Sequence, residues 1–224
     1  MITQHTATQH TATGARAPLS FTHRYVPATN PATRPLLLLH GTGGDENDLL
    51  PLGRMMAPGA ALLSPRGQVS EAGMPRFFRR LAEGVFDEAD VARRAGELAD
   101  FIAAARAAYG LAAPIAVGFS NGANIAAAVL MLRPEALAGA VLLRAMVPLS
   151  QPPHGALPAT PVLMLSGRMD PIVPQDNAQR LAGLLAERGA RVEHRHLSAG
   201  HGLTPTDMTA AQEWLAAQAV VPAA

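Results

Sequence analysis

The stretch Ala113-Pro-Ile-Ala-Val-Gly-Phe-Ser120-Asn-Gly-Ala-Asn-Ile-Ala-Ala-Ala-Val-Leu130 decides how this chain reads. It opens as a short apolar run suited to a strand and ends as an Ala-rich run suited to a helix. Between them Gly118-Phe119-Ser120-Asn121-Gly122 matches G-x-S-x-G, the pattern of a serine on a sharp strand-to-helix turn. Two residues without Cβ atoms let the strand and helix close tightly around that serine. Such a turn strains the backbone of Ser120 and pushes its Oγ out of the sheet. The following helix aims its free N–H groups and the positive end of its dipole at the same point. A glycine-rich turn with a bland serine has the same local sequence, so the rest of the chain has to decide.

A chain of 224 residues suits one domain with a two-sided core. The expectation is a polar tail over 1–17 and a single domain over 18–224. The tail contains Gln-His-Thr-Ala-Thr twice, at 4–8 and 9–13, and has little to bury. The formal net charge of +1 implies no nucleic-acid or membrane-surface field. No apolar run approaches the ~18 residues of a membrane span. All 18 basic residues are Arg, which excludes a Ser–Lys dyad, a Schiff-base lysine and a phosphate loop of the G-K-[ST] type. The absence of Cys removes disulfides, thiolate nucleophiles and Cys-ligated metals together. With no apolar leader, these features fit a cytoplasmic protein.

Taken in order, Leu19 to Val26 alternates as a first strand, and the proline-rich 27–35 is a loop. Leu36–Leu39 reads as a strand buried on both faces. It runs into His40-Gly41-Thr42-Gly43-Gly44-Asp45-Glu46, then a helix to about Met56 with acidic residues in its first turn. Ala60–Leu63 is a short strand. Residues 65–86 show no clear period and include Arg76-Phe-Phe-Arg-Arg80. Asp87 to Tyr109 has helical spacing, stopped by Gly110. The elbow helix runs to about Leu132, ahead of Pro134. Strands at 138–143, 162–165 and 191–197 alternate with a helix over 175–188 and a closing helix over about 205–219. This alternation predicts an α/β fold, a mostly parallel sheet with helices on both faces. Sites in such sheets lie outside the carboxyl ends of the strands.

Four strand ends carry suggestive residues: the loop at His40–Gly44, Ser120, Asp170 and His201. A serine hydroxyl needs a base within hydrogen-bond reach, a role for His201, and an acid to orient that base, a role for Asp170. The backbone N–H groups of Thr42 and Asn121 are the expected donors to an oxyanion. His40 reads as orienting its own loop, and His194 and His196 as structural residues within a strand. His5 and His10 have no partner ligands for a metal and read as part of a solvated tail, and His23 and His154 lack a supporting pattern. Asp207 reads as a cap of the last helix. His194-x-His196 has no third ligand by pattern, so no metal site is expected.

Together, Leu-His-Gly-Thr-Gly-Gly-Asp-Glu (39–46), Gly-Phe-Ser-Asn-Gly-Ala-Asn (118–124), Ser-Gly-Arg-Met-Asp-Pro-Ile-Val-Pro (166–174) and Ala-Gly-His-Gly-Leu (199–203) resemble the phospholipase/carboxylesterase family of α/β-hydrolases. Ser-Asn-Gly-Ala-Asn and Arg-Phe-Phe-Arg-Arg are similar to its bacterial branch of small carboxylesterases, which includes hydroquinone- and catechol-inducible hydrolases. The resemblance implies a cofactor-free serine esterase acting on small ester substrates. It implies Ser120, Asp170 and His201 as its triad, Thr42 and Asn121 as its oxyanion donors, and a homodimer as one possible assembly. Thioesterases and lysophospholipases of the same family, and a weakly catalytic binding protein on this scaffold, are the alternatives. Gly41, Phe77, Phe78 and Met146 are the candidate pocket residues. Arg76, Arg79 and Arg80 either line that pocket or pair with Glu83, Asp87 and Glu88. Arg144 stands where a small residue is expected. No long insertion separates the strand after the elbow from Asp170, so no large lid is expected.

Overall fold

A computed structural model describes residues 19–152 and 156–218. The expected tail over 1–17 and His154 lie outside the described residues. In chain order the elements are β1 (His23–Val26), β2 (Leu36–Leu39), α1 (Leu50–Met56), β3 (Leu62–Pro65), β4 (Val69–Glu71), β5 (Met74–Arg76), β6 (Arg80–Ala82), β7 (Val85–Phe86), α2 (Glu88–Tyr109), β8 (Ile115–Phe119), α3 (Asn121–Leu132), β9 (Gly139–Leu143), β10 (Pro161–Gly167), α4 (Gln175–Glu187), β11 (Arg191–Leu197) and α5 (Pro205–Ala217).

Seven strands form one sheet in the order β1-β3-β2-β8-β9-β10-β11. Only β1 runs antiparallel to its neighbour; the other pairings are parallel. Successive residues of the central strands point to opposite faces, and both faces are covered. Leu37, Leu39, Ala116, Ala140, Leu142 and Met164 pack against α2, α3 and α4. Leu36, Leu38, Ile115, Val117, Val141 and Leu163 pack against α1 and α5. The apolar run of β2 is thus explained: a strand with no solvent face has no reason to alternate.

The long helix α2 has the ends its sequence suggests. Asp87 caps it by accepting from the N–H of Asp90, and Gly110 closes it in the left-handed region at φ 67°. Helix α3 is buried from Asn121 through Met131. A helix enclosed on all sides needs small residues to approach its neighbours closely, which accounts for its alanines.

Two expectations need correction. The helix after Glu46 does not start there and has no acidic first turn; it begins at Leu50. The Asp45 carboxylate instead accepts from the N–H of Asn47 at 2.7 Å, closing a turn, and Pro51 then fits only the helix start. The segment 65–86, without visible period, folds into two small antiparallel pairs, β4–β5 and β6–β7. Strands of two or three residues are too short to display a period. The first hairpin turns through Ala72 (φ 50°) and Gly73 (φ 81°), and an alanine at positive φ disguises the turn. Among the described residues no helix is long and apolar enough to cross a membrane.

Candidate active site

Ser120 leaves β8 and precedes α3 with φ 51° and ψ −113°, a conformation that costs a non-glycine residue energy. The flanking glycines make the turn possible. A Cβ on Gly118 would lie 2.4 Å from the Gly122 carbonyl oxygen, and one on Gly122 would lie 2.0 Å from that of Leu39. Any other residue would push α3 away from the ends of β8 and β2. The Ser120 N–H donates to the Leu143 carbonyl at 2.8 Å, tying the turn to the end of β9.

The three other strand ends converge on this serine. His201 Nε2 lies 3.0 Å from Ser120 Oγ, and His201 Nδ1 lies 2.9 and 3.1 Å from the two oxygens of Asp170. The Asp170 side chain is fully buried, and its Oδ1 also accepts from the N–H groups of Ile172 and Val173 at 2.8 and 3.1 Å. With the carboxylate on Nδ1, the ring carries its proton there and offers the Nε2 lone pair to the hydroxyl.

A cavity of about 240 Å³ opens over these groups. Its lining includes Thr42, Ser120, Asn121 and His201, with Phe86, Phe119, Met146, Ile172 and Val173 as apolar wall. The N–H groups of Thr42 and Asn121 have no hydrogen-bond partner among the described residues. For Asn121 the reason is its place as the first helical residue of α3. His40 holds the loop carrying Thr42, as its position suggested. Its Nδ1–H donates to the Gly41 carbonyl at 2.7 Å, while its Nε2 accepts from the Gly67 N–H at 2.9 Å. Burial holds the His40 pKa below the ordinary histidine value, which keeps this neutral tautomer.

The pocket differs from expectation in three ways. Phe77 and Phe78 are 3% and 0% exposed, and belong to the core against α2 and α3 rather than to the cavity. Phe86, a residue of β7, and Phe119, at the end of β8, provide the aromatic wall instead. Gly41 lies beneath Phe119, where a Cβ would sit 2.8 Å from the ring, and does not line the cavity. Met146 does line it. The arginines divide: Arg79 pairs with Asp87 outside, while Arg76 and Arg80 line the cavity.

Three residues have roles that sequence reasoning did not assign. Asn121 Oδ1 accepts from the Phe77 N–H at 2.7 Å, fixing the segment that follows β5. Asn124 Oδ1 accepts from the Met146 N–H at 2.8 Å, fixing the cavity wall. Their signal was present: two asparagines in an otherwise apolar, enclosed helix must have partners. Arg144 is the third. Its backbone sits at φ 59°, in the left-handed region where a small residue was expected. Its side chain is fully buried and every N–H donor of its guanidinium is engaged. Nε donates to the Gly200 carbonyl at 2.9 Å and Nη2 to that of Gly202 at 3.1 Å, on either side of His201. Nη1 donates to the Leu165 carbonyl at 3.1 Å, and the fork grips Asp207 at 2.7 and 2.9 Å. Asp207 is not itself the cap of α5. Thr204 is, and Asp207 completes the capping box.

The profile of a family described as phospholipase/carboxylesterase matches residues 23–219. MhqD of Bacillus subtilis (strain 168), named as a hydrolase, is 46% identical over 181 residues, 80% of this chain and 90% of MhqD. The crystal structure of the Bacillus cereus carboxylesterase is 42% identical with a TM-score of 0.86, covering 88% of this chain and 94% of that one. A carboxylesterase from Mesorhizobium loti is 32% identical with a TM-score of 0.84, covering 88% and 95%.

Proposed function

This chain belongs to the phospholipase/carboxylesterase family of α/β-hydrolases and is a carboxylic ester hydrolase, and on that premise we propose that it cleaves small, short-chain esters through an acyl-enzyme on Ser120. The observation that carries this reading is the unbroken set of contacts from Asp170 through His201 to Ser120 at the cavity wall.

In this mechanism Ser120 Oγ attacks the ester carbonyl while His201 Nε2 takes its proton. Asp170 holds the ring in the tautomer that makes Nε2 the base and stabilises the imidazolium that follows. The tetrahedral oxyanion forms where the unpartnered N–H groups of Thr42 and Asn121 point their charge, each such donor supplying roughly 3–4 kcal/mol. His201 then protonates the departing alcohol. A water molecule, activated by the same imidazole, releases the acid from Ser120.

The test is turnover of p-nitrophenyl acetate, butyrate and longer esters by wild type and Ser120→Ala. The variant is expected to lose ~10³-fold or more in kcat, and an organophosphonate is expected to label Ser120 in the wild type alone. A cavity of about 240 Å³ also predicts that kcat/KM falls for long acyl chains, which speaks against a lysophospholipid substrate. Undiminished turnover in Ser120→Ala would overturn the assignment.

A further inference from the structure

Charge is unevenly paired along the cavity wall. Strands β4, β5 and β6 bring together Glu71, Arg76 and Arg80. Glu71 Oε1 accepts from Arg80 Nε at 2.8 Å, and Glu71 Oε2 lies 3.3 Å from Arg76 Nε. One carboxylate therefore serves two guanidinium groups. Arg76 also donates from Nη1 to Thr42 Oγ1 at 2.9 Å and from Nε to the Phe78 carbonyl at 3.2 Å. Its Nη2, and both Nη groups of Arg80, have no hydrogen-bond or ion-pair partner among the described residues, although the Arg76 guanidinium also lies over the Phe78 ring, 5.9 Å from its centre. Both arginines line the cavity beside Ser120 and His201.

Arg76 is only 3% exposed, so water does little to compensate its charge. Burial is the main influence lowering its pKa; Glu71 opposes this and Arg80 adds to it. A guanidinium does not give up its proton in a protein, so a site of this kind is completed by an anion. The other charged lining residues do not supply one. Arg144 is matched by Asp207, and Glu83 is exposed and makes no ion pair among the described residues. The amino end of α3 adds positive potential at the same place.

We propose that Arg76 and Arg80 hold a carboxylate carried by the substrate, so that the preferred ester is a short one bearing a free carboxylate a few bonds from the scissile carbonyl. The planar, forked donors of arginine suit a carboxylate better than a point charge would. The small cavity requires a short spacer between the two groups. Hydrolysis is unchanged in its chemistry: the ester C–O bond breaks, water supplies the new acid oxygen and the alcohol proton, and the held carboxylate leaves with its half of the product. This inference rests on Ser120 acting as the esterase nucleophile.

The experiment compares kcat/KM for two anionic esters with their neutral counterparts. Monoethyl succinate against diethyl succinate places the charge on the acyl side. Acetoxyacetate against ethyl acetoxyacetate places it on the alcohol side. Wild type, Arg80→Gln, Arg80→Lys and Ser120→Ala are measured by titration of released acid. In wild type, one anionic ester is expected to exceed its neutral counterpart at least tenfold. That ratio is expected to fall about tenfold in Arg80→Gln, mainly through KM, less in Arg80→Lys, and to shrink with added salt. Neutral esters turned over as well as both anionic ones, by a Ser120-dependent reaction, would overturn the carboxylate site and leave the esterase standing. Equal turnover of both series by Ser120→Ala would remove the esterase reading and the site with it.

Discussion

Two buried arginines border the same cavity and stand in opposite conditions. Arg144 meets one carboxylate and three carbonyls, and none of its donors is left over. Arg76 shares one carboxylate with Arg80, and the pair keeps unengaged N–H groups where a ligand can reach. The first is a closed set of bonds between the ends of β9, β10 and the loop before α5. Such a set fixes a shape. The second is an open set, and it selects what enters. Burial alone does not distinguish the two, since both side chains are at most 4% exposed. The number of donors satisfied, and the match of charge, do.

The strongest way to break this comparison is to open the closed site. Asp207→Asn leaves the Arg144 guanidinium buried without a counter-charge. The expected cost is about 3–5 kcal/mol, read as a fall in Tm of roughly 6–20 °C for a chain of this size. Below that temperature kcat is expected to fall ~10²-fold with KM little changed, because Arg144 no longer donates in register to the Gly200 and Gly202 carbonyls that flank His201. The double variant Arg144→Met/Asp207→Leu separates the two effects. An apolar pair in place of an ion pair is expected to restore much of the stability. If kcat returns with it, Arg144 merely fills space; if kcat stays low, Arg144 is a positioning residue for His201.

A smaller effect tests the strand that delivers that loop. His194 Nε2 in β11 lies 2.9 Å from Ser166 Oγ, and its ring lies 4.2 Å from that of His196. Burial, reinforced by His196, pulls the His194 pKa down to about 4. The unfolded chain takes up its proton near the ordinary value of about 6.5. Between those values the unfolded state binds more protons, so stability is full above about pH 6.5 and falls as pH drops toward 4. About 2 kcal/mol should be lost between pH 7 and pH 5, measured as a shift in the urea midpoint, and His194→Gln should flatten it. An unaltered pH dependence in that variant would place the acid sensitivity elsewhere.

What the sequence made legible follows the same division between closed local patterns and distant partners. The enclosed strand Leu36–Leu39, the tight glycines around Ser120 and the caps of α2 are each written in a few consecutive residues. The rule that sites lie beyond the carboxyl ends of parallel strands then drew Thr42, Ser120, Asp170 and His201 into one place, where the structure also puts them. The pocket wall was hidden because the short strands of 69–86 carry no period to say which residues face inward. Nothing local therefore says that Phe77 and Phe78 turn into the core while Phe86 faces the cavity. Arg144 looked like a misfit because the residue it serves is 63 positions away, and no local pattern encodes that pairing.

The smallest expected effect sharpens the open site without touching an arginine. Glu71→Gln keeps the shape that orients Arg76 and Arg80 but removes the one negative charge between them. If recognition depends on unmatched charge, the preference for an anionic ester should rise about threefold, or roughly 0.7 kcal/mol. The modest size is expected because Glu71 is one-third exposed and partly screened. The increase should also vanish sooner than the wild-type preference as salt is added, since the extra attraction is purely coulombic. The same substitution made on the closed site, Asp207→Asn, is expected to cost stability instead. Opposite consequences from one chemical change would show that the two arginine sites differ in kind. A fall in preference in Glu71→Gln would show the reverse: that Glu71 selects the substrate by holding the two guanidinium groups in register, as Asp207 holds Arg144, and that the open site is organised on the same terms as the closed one.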